Sequence, residues 1–311
     1  MTGTSPSGVR LGIDLGGTKI EIIALDTTGH TLYQTRTPTP KHTDTQQQYQ
    51  HILNTIQSLV GDCENHLKQK NLPVGIGMPG AVSLKTGLVK NANTTCLIGR
   101  NFNSDLNETL NRKVALENDA NCFALSEATD GAGQQQLCVF GVILGTGVGG
   151  GIVFNEKVFI GANAIAGEWG HNPMPWINDK DLPKQTCYCG QQGCIETYLS
   201  GPGFEKQSHM QLNTNLTCQE LFTQRHASAS AGLAYTLYVE RLAKALASVI
   251  NVLDPNIIVL GGGLSNIDTL YEDIPKRWGK YIFSDEVNTK LVKNQFGDSS
   301  GVRGAAWLTK V

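Results

Sequence analysis

The chain has 311 residues, with 25 Lys and Arg against 27 Asp and Glu and a formal net charge of −2. No run of like charge breaks that balance, which argues against nucleic-acid or anionic-membrane partners, since both select a basic face. The length suits two domains with well-filled cores.

The start, MTGTSPSGVR, has no basic segment followed by an apolar one, so no signal peptide is expected and the protein is read as cytoplasmic. Val9 to Leu25, VRLGIDLGGTKIEIIAL, predicts a strand, a glycine turn and a second strand. Gln46 to Leu67 predicts a helix, with Tyr49, Ile52, Ile56 and Leu59 three and four apart. PVGIGMPG, residues 73–80, reads as a short buried strand stopped by Pro79 and Gly80. VALEND is another, ending at Asp119, and ANCFALSEA opens a helix directly after it. LCVFGVILGTGVGGGIVFN then repeats the strand, glycine turn, strand pattern of the N-terminus; its glycines make it too interrupted for a membrane span. From Leu233 to Leu253 a stripe of Leu237, Leu242, Leu246, Val249, Ile250 and Leu253 predicts a long amphipathic helix. NIIVLGGGLS gives a last buried strand, and a short helix over 302–308 closes the chain. Apolar strands ending in glycine turns predict α/β architecture with ligands at the strand ends. The echo between GIDLGGTK and GVILGTGVGGG predicts two related halves, with a boundary near Arg112.

Three glycine turns could admit a phosphate: Gly16-Gly17-Thr18-Lys19, Gly145-Thr146-Gly147 and Gly261-Gly262-Gly263. Without a Cβ, backbone N–H groups approach an anion closely. GIGMPG and GTGVGG match the dinucleotide pattern G-x-G-x-x-G, but neither leads into a helix, which that pattern requires. No G-x-x-x-x-G-K-[ST] occurs. Hairpin-type phosphate binding by two opposed domains is what remains. Asp119, where a strand gives way to a helix, is placed either to accept a proton in a cleft or merely to cap the helix starting at Ala120.

CYCGQQGC puts Cys187, Cys189 and Cys194 inside eight residues. The spacing is not the C-x-x-C of a redox centre, and a disulfide would leave one thiol over. Three thiolates are three quarters of a zinc site. The nearest upstream histidine is His171, which by itself reads as a surface residue as readily as a ligand. Cys63, Cys96, Cys122, Cys138 and Cys218 lie in no ligand spacing and are read as core thiols.

GIDLGGTK, GIGMPG, ENDANCFALSEA, GTGVGGGIVFN, GEWGH, CYCGQQGCIE and VLGGGLS occur in this order, and with them the chain resembles the ROK (repressor, open reading frame, kinase) sugar kinases from Leu11 to Leu308. The resemblance implies the actin-like ATPase fold, two ribonuclease-H-like domains around a central cleft. The smaller domain would comprise residues 1–112 with 302–311, the larger 113–301. It implies MgATP with Asp14 helping to hold Mg²⁺. Gly12 and the loops Gly16-Gly17-Thr18-Lys19 and Gly145-Thr146-Gly147 would meet ATP, with Gly261-Gly262-Gly263 bordering the nucleoside. Asp119 would be the general base, and Gly80, Asn118, Asp119, Glu168, His171 and Glu196 would meet the sugar. Asn91 and Asn93 would reach it from the smaller domain. His171, Cys187, Cys189 and Cys194 would hold a structural Zn²⁺ that ties two loops together, and a homodimer is expected.

GEWGHNPMPW, VKNANTTCLIG and GDSSGVRGAAWL look most like the family's fructokinases. The expected reaction is therefore phosphoryl transfer to the 6-hydroxyl of fructose, with mannose second. The alternative is an N-acetylglucosamine or glucose kinase. A repressor would carry a helix-turn-helix before the first strand, where only about ten residues stand. A non-catalytic sugar sensor would be expected to lack the base or a phosphate loop.

Overall fold

The structure, a computed structural model, describes residues 8–310. The first half opens with the hairpin β1 (Arg10–Leu15) and β2 (Lys19–Leu25), followed by the edge strand β3 (Thr31–Pro38). Helix α1 (Thr45–Leu67) starts where Asp44 accepts from the N–H groups of Gln46 and Gln47, and stops where Lys68 turns left-handed. Then come β4 (Val74–Met78), the small hairpin β5 (Ala81–Val82) and β6 (Val89–Lys90), α2 (Phe102–Thr109) and β7 (Val114–Asn118). Helix α3 (Asp119–Thr129) leads into the second half: β8 (Cys138–Leu144), β9 (Val148–Phe154) and β10 (Lys157–Val158). The short α4 (Glu196–Leu199), α5 (Gly201–Leu212), α6 (Cys218–Thr223) and the long α7 (Ala229–Leu253) follow. The chain ends with β11 (Ile257–Gly261), α8 (Leu270–Asp273), α9 (Pro275–Trp278), β12 (Lys290–Lys293) and α10 (Ser300–Trp307).

The two halves repeat one topology. The first sheet has the order β3-β2-β1-β4-β7 and the second β10-β9-β8-β11-β12. In each, three strands form an antiparallel meander and two more add in parallel to its first strand. Each sheet has its own core, one built around Leu11, Ile13, Ile56 and Phe102 and the other around Phe140, Tyr198, Phe204 and Leu242. This is the α/β organisation expected from the echoed hairpins.

The sheet membership shifts the expected boundary. β7 pairs in parallel with β4, from Val74↔Val114 to Met78↔Asn118. Arg112 itself is held by Glu64 and by the carbonyl of Leu72. The first sheet therefore runs past residue 112 to Asn118, because its parallel edge is completed only by β7.

Two helices lie between the sheets. α3 packs on β8 and β9, α10 crosses back onto β1 and β4, and the two pack on each other. The approach is backbone to backbone: a Cβ on Gly304 would fall 1.6 Å from the carbonyl oxygen of Cys122, and one on Gly75 1.8 Å from that of Ala305. Side chains larger than hydrogen do not fit. Arg10 on β1 donates to the carbonyl of Thr309 just after α10. Among the described residues no helix is long and apolar enough to cross a membrane.

Candidate active site

A cavity of about 810 Å³ opens where the carboxyl ends of β4, β7 and β8 face one another. Ligands in open α/β sheets bind at such strand ends. It is lined by Gly80, Asn118, Asp119, Glu168, His171 and Glu196, by the hairpin Gly145-Thr146-Gly147, and by Asn91 and Asn93 from the loop after β6. Sequence candidates scattered over more than a hundred residues thus meet in one space.

Asp119 is the first residue of α3, and the cap of that helix is Asn118, not Asp119. The side-chain oxygen of Asn118 accepts from the N–H groups of Ala120 and Asn121, while its amide donates to the carbonyl of Gly80 at 2.9 Å. Both ends of the Asn118 amide are engaged, which fixes the strand-to-helix turn and points Asp119 into the cavity. Burial pushes the Asp119 carboxyl up to about 6, assisted by the charge of Glu168 and opposed by the N–H of Ala120. It is poised to exchange a proton near neutral pH.

Glu168 and His171 flank a single 3₁₀ turn, Trp169–His171. Its Trp169 is buried, donates from Nε1 to the carbonyl of Gly149 at 3.0 Å and packs edge-on to Phe140. The turn is thereby pinned to β9. Glu196, the first residue of α4, accepts at Oε2 from the N–H of Val148 at 2.9 Å. It grips the base of the Gly145 hairpin while lining the same cavity.

The ligand atoms of His171, Cys187, Cys189 and Cys194 all lie within 4.8 Å of one another. Nδ1 of His171 is 3.6 Å from Sγ of Cys187, and the sulfurs of Cys189 and Cys194 are 3.6 Å apart. The backbone stitches the two segments together: Met174 donates to Gly193, and Ile195 to Asn172. The Cys189 thiol is pulled down to about 7, chiefly by the N–H of Gln191. Three convergent sulfurs and one imidazole form the donor set that a tetrahedral zinc takes.

At the other end, Asp14 stands on β1 opposite Glu21 of β2. Burial, then the charges of Asp119 and Glu21, raise its carboxyl to about 7, with only Lys19 opposing. That surplus of carboxylates fits a hydrated Mg²⁺ held through one or two acidic side chains.

Asp14 and the remaining candidates lie outside the cavity lining. Lys19, the first residue of β2, is paired with Glu21 at 3.1 Å, and a Cβ on the nearby Gly17 would lie 4.0 Å from Oγ1 of Thr94. Gly12 is not at a loop: it sits inside β1, where a Cβ would fall 2.1 Å from the carbonyl oxygen of Val302. Its lack of a side chain serves the approach of α10. Gly261 pairs with Ile143 beside the second hairpin and faces the ring of Phe123, while Gly263 is open. Two residues escaped the sequence reading. Glu21 carries the only obvious signal of its role in the i, i+2 spacing from Lys19 on one strand face. Tyr188 lines the cavity and places its hydroxyl 2.9 Å from Nε2 of His171; its position between two metal-type cysteines was the available clue.

Comparison with known proteins bears on the chemistry. The chain is similar to the N-acetyl-D-glucosamine kinase of Photobacterium profundum, 42% identical over 96% of this chain and 98% of that protein. It is also similar to the N-acetyl-D-glucosamine kinase of Histophilus somni, 41% identical over 96% and 97%. Among solved structures, the ROK hexokinase of Thermus thermophilus superposes with a TM-score of 0.83 at 27% identity, covering 97% of each chain. The ROK family glucokinase of Streptomyces griseus, solved with glucose and AMPPNP, gives 0.74 at 25% identity, covering 97% of this chain and 99% of that one. The fructokinase expectation is overturned by these relatives. Its main support, NPMPW, lies outside the cavity: Met174 is core and Trp176 packs on Tyr281. Residues 10–311 match the ROK family, and the chain belongs to it.

Proposed function

We propose that the protein is an ATP-dependent N-acetyl-D-glucosamine kinase that transfers the γ-phosphoryl group to the 6-hydroxyl. The observation that carries the reading is Asp119, a buried carboxyl near pH 6 aimed into a cavity rimmed by acids, in a chain 37–42% identical to N-acetyl-D-glucosamine kinases.

Phosphoryl transfer asks mainly for positioning and charge neutralisation. Glu168 and Glu196 accept from sugar hydroxyls and set the ring's orientation. Asp119 takes the proton of the attacking hydroxyl. The N–H groups of the Gly145 hairpin and of Gly16-Gly17-Thr18-Lys19 face the phosphates from opposite halves. Asp14 would help hold Mg²⁺ with ATP, and the ion would supply charge neutralisation. Zn²⁺ at His171, Cys187, Cys189 and Cys194 is structural and does no chemistry in this proposal. Asn118 contributes by fixing the turn at Gly80. The two sheets act as two domains that close on the substrates, and a homodimer is part of the reading, tested by sedimentation.

The decisive test is a panel of N-acetylglucosamine, N-acetylmannosamine, glucose, mannose and fructose with MgATP. The largest kcat/KM is expected for N-acetylglucosamine. A larger value for any other sugar overturns the substrate, and no turnover with any sugar overturns the activity.

A further inference from the structure

Resting on the N-acetylglucosamine reading, we propose that Tyr188 is a sugar-contacting residue that selects for the N-acetyl group, its hydroxyl donating to the acetamido carbonyl oxygen.

The argument follows the protons. Nδ1 of His171 is turned to the sulfur cluster, 3.6 Å from Cys187. A cation held at Nδ1 would take that nitrogen's lone pair and leave the ring proton on Nε2. Nε2 is 2.9 Å from the Tyr188 hydroxyl, and in that tautomer the imidazole would donate to the phenol oxygen. The phenol's own proton is left free to donate elsewhere.

The ring is held edge-on to His171, with centroids 5.1 Å apart at 88°. It is 81% exposed, yet Tyr188 lines the cavity. It stands at the rim with its hydroxyl turned toward the histidine.

The surrounding groups define what that donor is for. Glu168 and Glu196, on the same side of the cavity, can only accept when ionised, and so suit sugar hydroxyls. An amide carbonyl can only accept as well, and neither carboxylate can serve it. Asn118, which gives one of its two amide protons to Gly80, stands at the end of β7 in the first sheet, Thr146 belongs to the phosphate-facing hairpin, and Asn91 and Asn93 come from the first half. Tyr188 is the side-chain donor left on the wall that carries the acids. Its exposed ring also gives the acetyl methyl an apolar surface. A parent sugar has a hydroxyl at this position, which can donate or accept and gains less from a fixed donor.

Tyr188→Phe keeps the ring and removes only the hydroxyl. The ratio of kcat/KM for N-acetylglucosamine over glucose is expected to fall roughly 3–10-fold. The loss should appear in KM, with kcat within about twofold and zinc content unchanged. Calorimetric binding of each sugar without nucleotide should show the same ratio. An unchanged ratio, or equal losses on both sugars, overturns the proposal. Because the readout is a ratio between two ligands of one preparation, partial misfolding does not mimic it. If the wild-type protein fails to turn over N-acetylglucosamine, the function itself falls; a wild-type preference that survives in Tyr188→Phe removes only the role of Tyr188.

Discussion

The hairpins β1–β2 and β8–β9 occupy equivalent places in equivalent sheets, yet they differ in where their charges come from. Both turns close on a backbone bond, Gly16 to Lys19 in the first and Gly145 to Gly147 in the second. The first carries an ion pair, Lys19 with Glu21 two residues along the same strand, and is gripped by Thr39 through the carbonyls of Gly16 and Thr18. The second has no charged residue in its turn, and a carboxylate reaches it only from a distant element, through Glu196 on Val148. A repeated fold has thus been charged on one side and left to backbone donors on the other. The difference separates what a carboxylate does at each end: Glu21 pairs with Lys19, whereas Glu196 ties the Gly145 turn to the cavity wall. Asp119 stands between them, and variants at these places should fail in different ways.

The largest effect is expected at the shared centre. Asp119→Asn should lower kcat by about 10²–10⁴-fold while sugar binding by calorimetry stays within a few fold. The same variant should melt higher at pH 7.5 without nucleotide. The sign follows from linkage. The folded carboxyl has its pKa raised to about 6 from 3.8, so between those values the unfolded state holds fewer protons and stability falls as pH rises. Above pH 6 the burden is fully present, and a neutral amide removes it. A lower melting temperature would show that Asp119 is better solvated than its burial indicates. In the wild type, kcat/KM should fall on the acid side with an apparent pKa near 6, and a flat profile from pH 5 to 8 would remove the base.

Next comes the cluster of His171, Cys187, Cys189 and Cys194 on the second half. Cys187→Ser, or chelation, should raise the sugar KM by at least about tenfold and lower the melting temperature. Nucleotide affinity should stay within about twofold, because the first hairpin does not touch the cluster. Metal-free protein with an unchanged KM would leave the cluster without its positioning role.

Smaller effects distinguish the hairpins directly. Glu196→Gln keeps an acceptor for Val148 but loses its charge, and should raise KM for both sugar and ATP by about fivefold. Glu21→Gln frees Lys19 and should raise KM for ATP alone, by roughly two- to fivefold. If Glu196→Gln moved only one substrate, the carboxylate would not couple the two sides.

Legibility followed burial and chemistry. The apolar strands that run into glycines, and the amphipathic α7, could be read because burial leaves a periodic trace. β3 could not: it is an edge strand alternating half-buried and exposed residues, with Thr, Gln and Arg along it. α5 opens as Gly201-Pro202-Gly203, which reads as a turn, although Ser200 caps it and proline suits a first helical turn. The metal cluster was legible from spacing alone as far as its sulfurs, with His171 joined to it by resemblance. The sugar was not, since NPMPW resembles other kinases through residues that pack inward or against Tyr281 and so say nothing about stereochemistry. Tyr188 was hidden because its place at the cavity depends on how its loop folds against His171.

The position of α10 has a consequence in time. Gly12 and Gly75 on the first sheet are shaped to receive a helix that is made last, and Arg10 finds its partner 299 residues later. At typical synthesis rates roughly 15–60 s separate those two residues on the ribosome. For that interval the earliest strands exist with one face bare, while the second sheet can already close on its own helices. The half of the protein that is translated first is therefore the half that finishes folding last, and a chain stopped just before residue 300 should be recognised by proteases and chaperones through its N-terminal sheet.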